Sequence, residues 1–377
     1  MIPPRGSCLF RPTLGAFLLA GMLGLGGYPA QANSDYLVVD EFGKSQYRVN
    51  PQQIFQEQPL PAGQVTFDPQ ELLIVLINTR RYFREQEQRD AVIQRPGVLG
   101  ALGVEVADVT RTLDFMIEVL LHDLTQAQPI RLQNPDFIRS HFRVWGWRAH
   151  RPEGGTVPEL RLTKYAVFRH AGTRQPQGDY VHALYSINDA EAGSEFYKKY
   201  TKQEVLAGAY APGQPDAGKV TPLAYLTRTG LEEALLQGTI LIQFPDRSTS
   251  YFNVDRNNGI AFVRGVDPWE QKRYWYFREV NAIRGYGSEI GNKIAIRPGV
   301  TFAGDVWNVG LGRIVLLERA PGQWMLGAIA DTGGAFLPNL AQLDYLAGIF
   351  PSRQEFFAYN RRLPEYTRTY ILIKKDE

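Results

Sequence analysis

Apolar residues recur at helical spacing in two stretches of the first third of the chain, and at strand spacing through most of the remainder. The first stretch opens at Asp68, with Pro69 next and Glu71 three residues on, a capping-box signature placed before Leu72, Leu73, Leu76 and Ile77. A helix is predicted there. A second helix is predicted from Ala107 to Leu124, with Val109, Leu113, Met116, Ile117, Leu120, Leu121 and Leu124 on one face, and both faces are expected in the core. Ahead of them, residues 33–66 are polar and rich in Pro and Gln, an expected extended lead-in.

After Pro135 the pattern changes to short alternating or β-branched runs bounded by Gly, Pro, Asn and Asp. Strands are predicted at 160–168, 180–187, 239–244, 251–254, 275–280, 313–318, 324–329 and 369–374. A helical interruption at 229–236 and a Gly/Pro-rich stretch at 208–218 punctuate them. The expectation is a mainly β, barrel-like body with N-terminal helices.

Composition narrows this picture. With 377 residues, 44% of them hydrophobic, the chain can bury a sizeable core, which excludes disorder and suggests two domains or one large elaborated one. Its 41 basic and 39 acidic residues give a formal charge of +2, so nothing points to nucleic acid or an anionic membrane surface. A neutral polymer or small molecule is the better partner class. Residues 1–32 read as a signal peptide: Arg5 and Arg11, an apolar run near 14–25, then Ala30-Gln31-Ala32. Export to the periplasm or cell envelope is the expectation. Cys8 precedes the apolar run, so the mature chain would carry neither a disulfide nor a reactive thiol.

The five histidines, at 122, 141, 150, 170 and 182, show no metal-ligand spacing, and no nucleotide or serine-hydrolase motif stands in a strand-to-helix context. No metal and no cofactor is expected. Carboxylates remain. The apolar run 328–330 delivers Asp331 into a turn with Gly333 and Gly334, which permit positive φ and close backbone approach, and a second apolar flank presents Asp344 between Leu343 and Tyr345. Two acids can meet at one cleft. The same spacing equally fits an Asx turn at Asp331 and a solvated Asp344.

The segment Asp331-Thr332-Gly333-Gly334-Ala335-Phe336 and the downstream Leu343-Asp344-Tyr345 resemble the motifs of the membrane-bound lytic transglycosylase A (MltA) family, which carries a C-terminal 3D domain. Residues 297–305 are similar to the family's P-G-x-S-L-A-x-D segment, and Tyr274-Trp275-Tyr276-Phe277-Arg278-Glu279 to its aromatic-F-R-E strand. Upstream, Leu162-Thr163-Lys164-Tyr165, residues 179–185, Gln237-Gly238-Thr239 and Asn257-Asn258-Gly259 follow in the family's order, so the likeness spans about residues 160–374. There are departures. The family's T-G-Y-Y-E-P reads Thr163-Lys164-Tyr165-Ala166-Val167-Phe168 here, and about two extra residues separate the aspartates.

The resemblance implies a double-psi β-barrel catalytic domain, made of residues 33–165 and 273–377, with a second β-rich domain inserted at 166–272. It also implies non-hydrolytic cleavage of the β-1,4 bond between N-acetylmuramic acid and N-acetylglucosamine in peptidoglycan. Asp344 would serve as acid and then base, giving a 1,6-anhydro product; Asp331 would hold the turn. Thr163, Tyr165, Gln237, Gly333 and Gly334 would touch the sugar. Trp275, Trp307 and Tyr345 are candidates for stacking on sugar rings, although packing explains them as well. The expected partner is a glycan strand, bound by a monomer with peripheral association to the envelope. The rivals are a non-catalytic glycan-binding or structural protein on the same scaffold, and a true hydrolase needing a second placed acid.

Overall fold

Asp68 opens the first long helix: its side chain accepts from the backbone N–H groups of Gln70 and Glu71 at 2.9 and 3.0 Å, with Pro69 at the first helical position. The structure is a computed structural model and describes residues 35–40, 45–261, 263, 265–333, 336 and 338–376. The predicted leader at 1–32, Gly334 and Ala335 therefore lie outside the described residues. The first helix runs Pro69–Gln86 and buries Leu72, Val75, Leu76 and Phe83. It packs on the second, Val106–Thr125, which starts from a capping box between Glu105 and Asp108 and buries Val109, Leu113, Met116 and Leu120. Ile77 and Leu121 are exposed, against expectation. Each follows a buried leucine by one residue, about 100° further round the helix and off its apolar stripe.

The rest of the fold is mostly β, with shorter helices between strands. Strands occupy all eight predicted places: Leu160–Ala171, His182–Ile187, Thr239–Gln243, Thr249–Asn257, Trp275–Val280, Ile314–Ala320, Gln323–Asp331 and Thr369–Lys374. The helix Arg228–Gln237 fills the predicted interruption. Spacing missed the strands Phe142–Trp147 and Gln342–Phe350 and the three-residue Thr301–Ala303. Phe142–Trp147 and Thr301–Ala303 are buried along nearly their whole length, which removes the alternation that announces a strand, and Gln342–Phe350 has a run of three buried residues at its centre. Residues 33–66 correct the expected lead-in. Tyr36–Val39 pairs with Gln46–Val49, Phe55–Glu57 joins Phe142–Trp147, and Gln64–Thr66 joins Gln323–Asp331. Val38, Ile54, Phe55 and Val65 are the buried anchors, too sparse among polar residues to dominate the composition.

One 13-stranded sheet runs through the described residues. Across its centre the order is Thr239–Gln243, Leu160–Ala171, Gln342–Phe350, Thr301–Ala303, Gln323–Asp331, Ile314–Ala320, Thr369–Lys374. Leu160–Ala171 pairs in parallel with both of its neighbours here, and Thr301–Ala303 pairs in parallel with Gln323–Asp331. Parallel pairing needs long crossovers, so residues far apart in sequence meet side by side. Buried apolar side chains form two clusters. The larger joins the two long helices to the central strands; the smaller gathers residues between Leu184 and Phe277, including Leu231, Ile240, Phe252 and Tyr276. Among the described residues, no helix is long and apolar enough to cross a membrane.

Because Asp68 caps two N–H groups of a helix that packs into the larger cluster, Asp68→Ala is expected to cost about 1 kcal/mol. In thermal unfolding this should appear as a midpoint about 2 °C lower; an unchanged midpoint would show that the cap contributes nothing.

Candidate functional site

Ala303 is a small side chain with an aspartate on each side. In the sheet it pairs with Asp331 of one neighbouring strand and with Asp344 of the other, and Asp344 in turn pairs with Thr163. Residues paired across strands project from the same face. Thr163, Asp344, Ala303 and Asp331 therefore stand in one row, which places the two acids two strand spacings apart, roughly 10 Å between Cα atoms. With only a methyl group between them, the space above Ala303 stays open.

Hydrogen bonds fix the two ends of this row differently. The Tyr165 hydroxyl donates to Asp331 Oδ2 at 2.7 Å, and the Thr332 N–H donates to Oδ1 at 2.8 Å. The turn after Asp331 is tied down as Thr332 Oγ1 donates to the Gly304 carbonyl at 2.9 Å and the Gly304 N–H donates to the Asp331 carbonyl at 3.1 Å. At the other end, Thr163 Oγ1 donates to the Leu343 carbonyl at 3.1 Å and accepts from Gln342 Nε2 at 2.9 Å. Asp344 Oδ1 is buried with no hydrogen-bond partner among the described residues.

Burial pushes the Asp344 carboxyl up to about 7; the Thr163 hydroxyl pulls it back, the Asp331 charge raises it further, and Lys164 lowers it. Burial likewise pushes Asp331 up to about 6, against the lowering effects of the Tyr165 hydrogen bond, the Thr332 amide and the Lys293 charge. Tyr165 is driven well above its ordinary value by burial and by Asp331, so it remains a neutral donor.

Both acids line a cleft of about 520 Å³. Ala303, Tyr165, Ala166, Val167 and Phe336 line it together with Gln237, Thr239, Asn253 and Trp275, the last packed against the smaller cluster. Gly238 lets two of these segments approach closely. At φ +76° it ends the helix Arg228–Gln237, and a Cβ there would lie 2.6 Å from the Trp275 ring. The helix end and the indole are thus in close contact, and Gln237 and Trp275 both line the cleft.

Of the residues expected at the site, Asp331, Asp344, Tyr165, Gln237 and Gly333 line the cleft, and Thr163 supports Asp344 from the adjoining strand. Gly333 does not take the positive φ anticipated for it, and a Cβ there would make only ordinary contact with Phe336 at 3.8 Å. The turn is held by the Thr332 and Gly304 hydrogen bonds instead. Lys164, standing where the family motif has glycine, sends its Nζ to the Pro364 carbonyl at 2.5 Å and does not line the cleft. Of the three stacking candidates only Trp275 lines it, with the Arg273 guanidinium 4.2 Å from its ring centroid. Tyr345 is buried against Phe302, and Arg95 covers Trp307.

Sequence reasoning missed Ala303, Asn253, Arg284 and Lys293, all in the cleft wall. Ala303 falls in the P-G-x-S-L-A-x-D-like segment at 297–305, which could have pointed to it; no motif flags the other three. Among the described residues, no group of three or more His, Cys, Asp or Glu side chains could hold a metal ion.

The architecture matches solved structures of lytic transglycosylases. A membrane-bound lytic murein transglycosylase from Agrobacterium tumefaciens superposes with a TM-score of 0.55 at 16% identity, over 82% of this chain and 93% of its own. MltA from Neisseria gonorrhoeae gives 0.54 at 14%, over 85% and 97%; E. coli MltA with bound chitohexaose gives 0.53 at 15%, over 86% and 95%. No protein-family model and no curated protein sequence matches the chain. The chain has the fold of the MltA lytic transglycosylases.

The raised carboxyls have a measurable consequence. Below about pH 4 an unfolded aspartate, with its ordinary value of 3.8, and the folded Asp344 are both protonated. Between about 4 and 7 the unfolded chain releases that proton while the folded chain keeps it, so this group's contribution to stability falls as pH rises through the window. Asp344→Asn should therefore raise the thermal midpoint at pH 8 relative to the parent, with the gain shrinking toward pH 4. A difference that does not vary with pH would contradict the buried, proton-retaining carboxyl.

Proposed function

We propose that the chain is a peptidoglycan lytic transglycosylase in which Asp344 cleaves the β-1,4 bond between N-acetylmuramic acid and N-acetylglucosamine. One observation carries the reading: on an MltA-type fold, a half-buried carboxyl with a buried, unpartnered oxygen and a raised pKa borders a cleft beside a second aspartate held by Tyr165 and Thr332. A general acid must hold its proton at the working pH and lose it readily in the transition state, and a value near neutrality serves both needs.

Asp344 first donates its proton to the glycosidic oxygen as the bond to C1 breaks. The carboxylate so formed is then the nearest base to the muramyl C6 hydroxyl; it takes that proton as O6 closes on C1, giving the 1,6-anhydro ring and restoring the acid. Water takes no part. Asp331, bonded to Tyr165 and to the Thr332 amide, keeps the turn in place and, when ionised, favours the protonated form of Asp344. Thr163 holds the Asp344 strand in position, while Gln237, Gly333 and Trp275 contact the sugars, and the sequence motif adds Gly334 to them.

In this reading the strands around Ala303 belong to a double-psi β-barrel built from residues 33–165 and 273–377, with 166–272 inserted as a second β-rich domain. The smaller hydrophobic cluster, most of whose members fall within 166–272, supports that division. An exported monomer acting on the envelope's own polymer fits the leader-like segment at 1–32.

Purified sacculi incubated with the protein should release muropeptides ending in 1,6-anhydromuramic acid, identified by mass spectrometry. Asp344→Asn should lower the release by about 10²–10⁴-fold, the usual contribution of a general acid, while remaining folded. Reducing ends in place of anhydro ends would make the protein a hydrolase. Binding to sacculi without any release would leave a glycan-binding scaffold.

A further inference from the structure

The cleft carries positive charge that the reaction above does not use. Lys293 and Arg284 both line it, on two antiparallel segments joined by a bridge between Arg284 and Ala295. The Gly285 N–H donates to the Ile294 carbonyl at 2.9 Å, and the Tyr286 N–H donates to the Ala330 carbonyl at 2.9 Å, so this ladder is fastened to the residue before Asp331. Gly285 allows that approach: a Cβ there would lie 2.5 Å from the Ala330 oxygen. The backbone that carries both cations is thus fixed against the strand that carries Asp331.

Their side chains are differently tethered. Arg284 donates to the Lys293 carbonyl at 3.1 Å and to Asn281 Oδ1 at 2.7 Å, yet its Nε is buried with no partner among the described residues. Lys293 makes no ion pair within 4.0 Å among the described residues, although Asp331 and Asp255 are near enough to act on its charge. Burial lowers the pKa of both groups. Partly desolvated cations without a bound anion stand ready for one.

Resting on the glycosidic reading above, we propose that Lys293, assisted by Arg284, forms a subsite for a carboxylate carried on the muramyl sugar's side group. That sugar differs from N-acetylglucosamine by its 3-O-lactyl substituent, which ends in a free carboxylate on stem-free strands and continues into a carboxylate-bearing peptide on intact ones. A cation beside the scissile position would favour muramyl residues over a plain N-acetylglucosamine polymer and set the register of the strand.

The test measures binding calorimetrically on the Asp344→Asn background, which prevents turnover. Three ligands are compared: chitohexaose, which is neutral; glycan strands stripped of peptide by an amidase, which expose the lactyl carboxylate; and uncross-linked strands that retain their stems. Adding Lys293→Met should weaken one or both anionic ligands about tenfold, the scale of one charge-assisted hydrogen bond, and leave chitohexaose within about twofold. The ligand that loses affinity identifies the carboxylate. Lys293→Arg should keep the preference, and it also controls for folding. Equal loss on all three ligands would mean that Lys293 acts only through Asp331 or through packing, and no loss on any would mean that it reads no anion; either overturns the subsite. Failure of all three ligands to bind the background protein would overturn the glycan reading itself, and the subsite with it.

Discussion

A carboxyl group removed from water must gain a counter-charge, gain hydrogen bonds or keep its proton, and the central row of the sheet forces that choice on two aspartates at once. Ala303 stands between Asp331 and Asp344 and offers neither a donor nor a charge. Burial raises both carboxyls, and an ionised Asp331 discourages ionisation of Asp344. Any larger residue at 303 would fill the gap between the acids; any charged one would settle their protonation directly. The site's chemistry follows from the smallness of that residue as much as from the acids beside it.

The row exists because of parallel pairing. Thr163 and Asp344 belong to segments separated by most of the chain's second half, and they become neighbours only because Leu160–Ala171 and Gln342–Phe350 run in the same direction. Between them the chain builds the smaller hydrophobic cluster and returns, and the same long strand that pairs with Asp344 at one end pairs with Thr239–Gln243 at the other. A strand shared in this way brings the acids, Gln237 and Trp275 to the lining of one cleft. The reach of the cleft is set by topology, not by flexible loops.

This explains what could be read in advance. Local signals were legible: Asp68 and Pro69 mark their helix, and alternation reveals strands such as Trp275–Val280. The aspartates were legible through the motif that surrounds them. Pairing across long crossovers leaves no local trace, so neither the position of Ala303 between two acids nor the ladder carrying Arg284 and Lys293 could be inferred from spacing. Gly333 shows the opposite error. A glycine beside a glycine invites a left-handed turn, but hydrogen bonds from Thr332 and Gly304 hold this one without it. The departure at Lys164, which looks disruptive as a motif change, is absorbed because that side chain bonds the Pro364 carbonyl and stays off the cleft wall.

The two acids are close in pKa, so their neighbours decide which one is left holding a proton. Asp331 accepts a phenolic hydrogen bond and an amide hydrogen bond, and it faces the Lys293 charge; all three stabilise its carboxylate. Asp344 is helped by the Thr163 hydroxyl, the Lys164 charge and the Tyr345 amide, yet its Oδ1 is buried with nothing donating to it among the described residues, and the Thr163 hydroxyl is also engaged with the Leu343 carbonyl. As pH falls through the range where one proton enters the pair, that proton is better placed on Asp344, where it relieves an unsolvated charge, than on Asp331, where it would idle three stabilising interactions. Ionised Asp331 then reinforces the choice by repelling a second negative charge across Ala303. A single proton shared unequally by two aspartates is thus a property of their bonding, and it leaves the acid form on the residue with an oxygen free to give its hydrogen away.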